Sequence, residues 1–212
     1  MTHTLYGDHT SGNFVKALIA AEMADTDYRW QFVDTSVPGA PRNAEVVVLN
    51  PSGQVPTLRL PDGRGLGQSN AIVLYLQDGT SFVPTDPFER AKMHEWMFWE
   101  QYSHEPYIAV VRASMVYRGV ALADRDADRV ARGEAALDTM ERHLSEREWF
   151  AADRATAADI ALFAYTRLVH EGGFDLAARP AIRAWLSRCD EAFAPGLSAL
   201  ADARTRTEEA SA

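Results

Sequence analysis

Two short motifs place the strongest constraint on how the first part of this chain folds. The first, Val55-Pro56, stands directly before a predicted strand over 57–60. A proline at the opening of a strand can hold a cis peptide bond, which turns the backbone N–H and C=O of the preceding residue outward. An extended peptide can pair with those groups like an added strand. The sequence therefore predicts a peptide-binding edge at Gln54, Val55 and Pro56.

The second motif, Gln68-Ser69, lies at the start of the next apolar helical run. A hydroxyl, the exposed N–H groups of a helix start and the helix dipole all favour a bound carboxylate. This motif is therefore predicted to hold one end of the same extended peptide.

The hydrophobic periodicity of the first part predicts the order βαβ followed by ββα. Apolar residues from Phe14 to Ala21 recur at helical spacing, and Ser11 stands just before them as a candidate N-cap. A turn containing Asp62-Gly63 predicts a hairpin. The predicted elements are strands at 4–6 and 28–33, a loop at 38–41, a short helix at 43–48, the hairpin at 58–66 and a helix at 69–76.

Turn residues and two prolines cluster near 79–86, and the pattern after them is helical throughout. We therefore expect a first domain at 1–78, a linker at 79–86, an all-helical domain at 87–204 and a disordered polar tail at 205–212. Helices are predicted near 87–118, 124–146, 157–171 and 180–193, with a bend at Pro106 because proline lacks a backbone donor.

Thr156-Ala157-Ala158-Asp159, directly before an apolar run, predicts a capping box at the start of a helix. Asp159 is therefore interpreted as a folding residue and not as an acid catalyst.

Charge and composition argue against several classes of partner. The 212 residues are 47% hydrophobic and carry a formal charge of −9, with Lys and Arg scattered among a majority of acids, so no basic face for nucleic acid is expected. No segment approaches the roughly 20 apolar residues of a membrane span. The beginning of the chain lacks the basic and apolar regions of a signal peptide, so we expect a cytoplasmic protein.

The reactive side chains outside these motifs are few. Cys189 is the single cysteine, which excludes an internal disulfide and a thioredoxin-type dithiol. His94-Glu95 and His104-Glu105 begin like the zinc-protease helix but lack its second histidine, so no metal site is expected.

The motifs together resemble the glutathione transferase family. Leu5-Tyr6-Gly7-Asp8, Ser11-Gly12-Asn13 and Gln68-Ser69-Asn70-Ala71-Ile72 carry the resemblance, and 100–107 is similar to the first long helix of bacterial members. The resemblance implies an α/β thioredoxin-like glutathione-binding domain, an all-α helical domain and a homodimer that acts in detoxification. It implies glutathione as co-substrate and no tightly bound cofactor. The second substrate is expected to be a small hydrophobic electrophile, or alternatively a disulfide or peroxide bond.

The resemblance also implies roles for individual residues. Ser11 occupies the position of the family's catalytic serine or cysteine and is the first candidate to stabilise the glutathione sulfur; as an alternative it is only a helix cap. Asn13 either orients the thiolate or caps the first turn. Glutathione binding is expected at Gln54, Val55, Pro56, Gln68 and Ser69, and candidate contacts to the acceptor substrate are Tyr6, His104 and Tyr107.

Four points stay open at this stage. His104 could instead pack between helices, and Asp8 must point away from the sulfur or be paired, because a carboxylate there would raise the thiol pKa. Gln68 stands where many members have Glu, which weakens the attraction for the ligand's ammonium. Finally, the alternative to an enzyme is a non-catalytic interaction protein that keeps the fold.

Overall fold

The computed structural model describes residues 2–35 and 43–211, with side chains through 209. The predicted loop at 38–41 lies outside the described residues. The chain forms two compact units, one made of Met1–Thr80 together with Phe193–Ala212 and the other of Ser81–Ala192.

The first unit is built on a four-stranded sheet with the order β2-β1-β3-β4. Strand β1 (His3–Gly7) runs parallel to β2 (Tyr28–Phe32) and antiparallel to β3 (Thr57–Arg59), which pairs with the short β4 (Gly65–Leu66). Because β1 and β2 are parallel, a crossover helix must connect them. The predicted βαβ-ββα order is confirmed.

In the part of the first unit that the structure describes, the helices are α1 (Gly12–Met23), α2 (Ala44–Leu49), α3 (Ser69–Leu76) and α9 (Ala194–Ser211). Helix α1 is buried along most of its length and packs against both α3 and α9.

The position of α9 corrects the prediction for the end of the chain. Residues from 205 to Ser211 continue this helix, so the expected disordered tail is wrong for that stretch. Moreover, α9 belongs to the first unit and not to the predicted helical domain at 87–204. A Cβ at Gly196 would lie 2.8 Å from the Ile19 Cα, so the absence of a side chain there lets α9 lie directly on α1.

The second unit is entirely helical in its regular elements. Its helices are α4 (Pro87–Trp99), a π-helical turn (Glu100–His104), α5 (Glu105–Arg118), a 3₁₀ turn (Leu122–Asp124), α6 (Ala127–Leu144), α7 (Ala157–Thr166), a 3₁₀ turn (Val169–Gly172) and α8 (Pro180–Ala192). Among the described residues, no helix combines the length and the apolar character that crossing a bilayer requires.

The predicted irregularity at Pro106 takes the form of the π-helical turn that precedes it. Proline cannot donate to the helical ladder, and the Glu105 N–H bonds to the carbonyl of Glu100, five residues back. One helical pattern in the sequence is thus divided into α4 and α5.

The predicted capping box at the start of α7 is confirmed. The fully buried carboxylate of Asp159 accepts hydrogen bonds from Thr156 (N at 2.8 Å, Oγ1 at 3.0 Å), from Trp185 Nε1 at 3.0 Å and from Phe150 N at 3.3 Å. The carboxylate therefore joins the loop before α7 to α8 within the core.

Candidate glutathione site

The N-termini of α1 and α3 lie side by side in the first unit. The Ser69 hydroxyl donates a hydrogen bond to Asn13 Oδ1 over 3.0 Å, and Ser69 is buried. This contact brings residues from the two predicted parts of the site, the sulfur end and the carboxylate end, onto one surface. It also fixes the amide of Asn13 with its oxygen toward α3.

Ser11 is the N-cap of α1 and is half-buried. Its hydroxyl oxygen accepts a hydrogen bond from the Phe14 N–H at 3.5 Å. A hydroxyl that accepts in this way still has its own proton to donate. The two interpretations of Ser11, a helix cap and a donor to a sulfur, are therefore compatible in one geometry.

Asp8 shapes the loop that carries Ser11. Its buried carboxylate accepts hydrogen bonds from Thr10 (N and Oγ1, both 2.8 Å) and from Thr35 (N at 3.1 Å, Oγ1 at 2.9 Å). Of the two alternatives for Asp8, pairing of its carboxylate is the one observed. The Asp8 carbonyl also accepts from the Ser11 N–H at 2.9 Å. The bond from Thr10 N to the Asp8 side chain is an Asx-turn, a local signal that could have been read in the sequence.

The Val55–Pro56 peptide bond is cis, as predicted. The pairing of β3 with β1 begins at Thr57, so Val55 lies outside that ladder. The carbonyl of Gln54 accepts hydrogen bonds from Asn50 Nδ2 at 3.0 Å and from Thr57 Oγ1 at 2.8 Å. These two hydrogen bonds thus fix the backbone that precedes the proline, while the Gln54 side chain is exposed.

Asn50 is a residue that the sequence analysis missed. Its Nδ2 donates to the Gln54 carbonyl and to Thr57 Oγ1, and its Oδ1 accepts from Ser52 (N at 3.2 Å, Oγ at 2.9 Å). A Cβ at Gly67 would lie 2.7 Å from the Asn50 side chain. Asn50 therefore packs directly against the residue before Gln68 and connects the two predicted binding motifs. The dipeptide Asn50-Pro51 is a turn signal that marked this loop without revealing its connection.

Gln68 adopts a backbone conformation that is rare for a residue with a side chain, with φ 67° and ψ 113°. Such conformations cost on the order of 1–3 kcal/mol and persist where the surrounding structure imposes them, often at ligand-binding positions. Within the described chain, the side chain of Gln68 is exposed and does not cap α3. The arrangement leaves a polar side chain and a helix start available to an anionic ligand.

Two predicted acceptor contacts are wrong, because both side chains are buried and already engaged. The Tyr6 hydroxyl donates to Glu45 Oε1 at 2.5 Å, and burial together with this carboxylate raises the pKa of Tyr6 to about 12. His104 is fully buried, with Nε2 3.0 Å from Thr166 Oγ1 and its ring 6.2 Å from that of Trp99. The alternative that His104 packs between helices is the one observed.

Tyr107 remains a predicted acceptor contact. Its side chain is half-buried, its hydroxyl accepts from Arg132 Nη1 at 3.1 Å, and the guanidinium lies 5.5 Å from the ring centroid. These contacts hold the ring of Tyr107 against α6. Across the described residues, no cluster of three or more His, Cys, Asp or Glu side chains has the arrangement of a metal site.

Comparison with protein families gives two matches. Residues 11–78 match the model described as "Glutathione S-transferase, N-terminal domain", and residues 121–188 match "Glutathione S-transferase, C-terminal domain". The first match begins at Ser11 and contains both Val55-Pro56 and Gln68-Ser69.

Individual proteins give the same result over most of the chain. The glutathione S-transferase GstB of Escherichia coli (strain K12) is 27% identical, over 89% of this chain and 93% of its own length. The maleylacetoacetate isomerase of Rhizobium meliloti (strain 1021) is 30% identical, over 87% and 90% respectively. A crystal structure of glutathione S-transferase from Pseudomonas fluorescens [Pf-5] superimposes with a TM-score of 0.84 at 41% identity, covering 89% of this chain and 94% of that one. The chain therefore belongs to the glutathione S-transferase family.

Proposed function

We propose that this protein is a glutathione transferase in which Ser11 stabilises the glutathione thiolate for attack on an electrophilic small molecule. The observation that carries the proposal is the hydrogen bond between Ser69 and Asn13, because it places the starts of α1 and α3 side by side. One tripeptide can then present its thiol to the start of α1 and its γ-glutamyl carboxylate to the start of α3.

The energetic requirement for the thiolate is modest. A free thiol has a pKa near 8.5, so holding it ionised at neutral pH needs a depression of roughly two units, or about 2.7 kcal/mol. A hydrogen bond to a charged acceptor contributes about 1.5–3 kcal/mol, and a helix N-terminus up to about 2 kcal/mol. The Ser11 hydroxyl and the start of α1 together can meet that requirement.

The remaining residues would hold the peptide. The backbone of Val55 would pair with the ligand like an added strand, with Gln54 and Pro56 fixing that backbone. The N–H groups at the start of α3 would donate to the γ-glutamyl carboxylate, and the Ser69 hydroxyl would turn its proton from Asn13 Oδ1 to the same carboxylate. The amide oxygen of Gln68 would meet the ammonium. A neutral amide attracts that ammonium less than a carboxylate would, so we expect a modest affinity for glutathione.

In the chemical step, the thiolate lone pair forms a bond to the electrophilic centre. The bond to the leaving group breaks, and the leaving group departs with its electron pair. Assays of conjugation, dehalogenation, ether cleavage and peroxide reduction together would identify the acceptor class. Asp8 holds the Ser11 loop in place, and Asn50 does the same for the Val55-Pro56 loop. These contacts support an enzyme over an interaction protein that only keeps the fold.

The test is Ser11→Ala, with Asn13→Ala as a matched variant in the same turn. Loss of the hydroxyl donor should raise the pKa of the bound thiol by about one to two units, or roughly 1.4–2.7 kcal/mol. Activity at neutral pH should fall about ten- to a hundredfold and recover toward alkaline pH. The titration is followed by the ultraviolet absorbance of the thiolate with glutathione bound.

Ser11→Thr is the control, since it keeps both the hydroxyl and the N-cap. An unchanged titration midpoint in Ser11→Ala would reduce Ser11 to a helix cap, and the same alkaline shift in Asn13→Ala alone would give the role to the asparagine. Failure of the folded wild-type protein to bind a glutathione matrix would favour the non-catalytic interaction protein.

A further inference from the structure

The last turns of α9 reach the loop that carries Ser11. Thr207 Oγ1 on α9 lies 3.4 Å from Nδ1 of His9, two residues before Ser11. Thr207 Oγ1 donates its own proton to the Ala203 carbonyl at 3.0 Å. In this contact the hydroxyl oxygen therefore accepts, and the proton is carried by His9 Nδ1.

Strand β2 and Asp8 also contact His9, and the Asp8 carboxylate approaches the same ring nitrogen as Thr207. Its ring centroid lies 6.3 Å from that of Trp30 in an edge contact and 6.4 Å from that of Phe32. Its Nδ1 lies 3.8 Å from Asp8 Oδ1, and only 13% of its side chain is exposed. The ring thus sits between the sheet and the end of α9, with the backbone of the Ser11 loop attached to it.

Helix α9 packs on α1, and a groove of about 730 Å³ extends between α9 and β2. Tyr28 and Trp30 line it from the strand, and Ser198 and Asp202 line it from the helix. Thr207 lies more than one helical turn after Asp202, at the point where α9 meets His9. The contact therefore links the far end of the helix to the loop after β1.

We propose that the C-terminal turn of α9 positions the Ser11 loop through the contact between Thr207 and His9, which makes His9 a positioning residue for the thiolate. The inference rests on the proposed function. Without this link, Ser11 would occupy its donor position in a smaller fraction of molecules, because the loop between Asp8 and Ser11 loses a support on one side. The peptide-binding residues lie elsewhere in the first unit and would keep their geometry.

Two variants remove the hydrogen bond and two retain it. Thr207→Val removes the accepting oxygen at constant shape, and His9→Phe keeps the aromatic packing but removes the donor. Thr207→Ser keeps the hydroxyl, and His9→Asn keeps an N–H donor near the position of Nδ1. We expect the first pair to lower kcat roughly two- to tenfold, as for loss of one neutral hydrogen bond. The titration midpoint of the bound thiol should rise, and KM for glutathione should stay near wild type. Thr207→Ser should restore kcat, and His9→Asn should restore less of it because it lacks the ring that packs on Trp30 and Phe32.

Hydrogen exchange provides a readout that does not depend on glutathione. Peptides covering residues 8–14 should exchange faster in Thr207→Val than in wild type, with unchanged circular dichroism. An unchanged kcat and thiol midpoint in both Thr207→Val and His9→Phe would overturn the proposal. If the wild-type protein fails to bind glutathione, the proposed function is wrong, and hydrogen exchange still tests the link to α9. Unchanged exchange over residues 8–14 in Thr207→Val would then overturn that link, and faster exchange would support it.

Discussion

The buried carboxylate of Asp159 makes the stability of the second unit depend on pH. Burial is the largest effect on this group and raises its pKa from 3.8 to about 6, although its hydrogen bonds to Thr156, Trp185 and Phe150 act in the opposite direction. The folded state therefore binds this proton more tightly than the unfolded chain. The stabilisation is fully present below about pH 4 and is lost as the pH rises through about 6.

The magnitude follows from the two pKa values. A difference of about two units, at about 1.4 kcal/mol per unit, corresponds to roughly 3 kcal/mol of unfolding free energy between pH 4 and pH 7. Many other carboxylates titrate in the same range, so the wild-type curve alone cannot isolate Asp159. Asp159→Asn keeps the shape of the side chain and removes its titration, while all other carboxylates stay the same.

Denaturant unfolding of both proteins between pH 4 and pH 7 provides the measurement. Trp96, Trp99, Trp149 and Trp185 all lie in the second unit, so tryptophan fluorescence mainly follows that unit. Asp159→Asn should be less stable throughout, because its amide nitrogen meets donors such as Trp185 Nε1. The wild-type advantage should grow by up to about 3 kcal/mol on acidification from pH 7 to pH 4.

Two results would refute this reasoning. A difference in stability that stays constant across the range would mean that Asp159 has the same pKa in the folded and unfolded states. A wild-type advantage that shrinks toward pH 4 would mean that the hydrogen bonds outweigh the cost of burial and lower the pKa.

Three further outcomes are expected. Gln68→Ala and Ser69→Ala should mainly raise KM for glutathione in steady-state assays, because these groups would hold the ligand in the ground and transition states alike; loss of turnover with affinity intact would contradict this role. Phe98 and Tyr102 are 72% and 81% exposed, and sedimentation at micromolar concentration should reveal a homodimer that Phe98→Glu weakens, whereas a wild-type monomer would count against the predicted pairing. Burial raises the pKa of the Cys189 thiol well above its ordinary value, so a colorimetric thiol reagent should label the protein only after unfolding, and rapid labelling of the native protein would disprove that environment.

The sequence alone determined the features that depend on neighbours a few residues away. The order of strands and helices in the first unit, the cis bond before Pro56, the N-cap at Ser11 and the capping box at Asp159 each follow from local patterns of apolar residues, turns and caps. The residues of the candidate site could be recognised from the sequence in the same way, because Ser11, Val55-Pro56 and Gln68-Ser69 stand at the ends of regular elements.

Tertiary structure decided which side chains reach the surface and which face the core. His104 shares a helical pattern with its neighbours, and only the π-helical turn and the position of Thr166 reveal that it is buried. Asn50 connects the two predicted binding motifs because it packs against Gly67, which is distant in the chain. Helix α9 is assigned to the first unit because it packs against α1. Periodicity identifies an apolar face but not the element that will cover it, since that choice depends on packing between residues far apart in sequence.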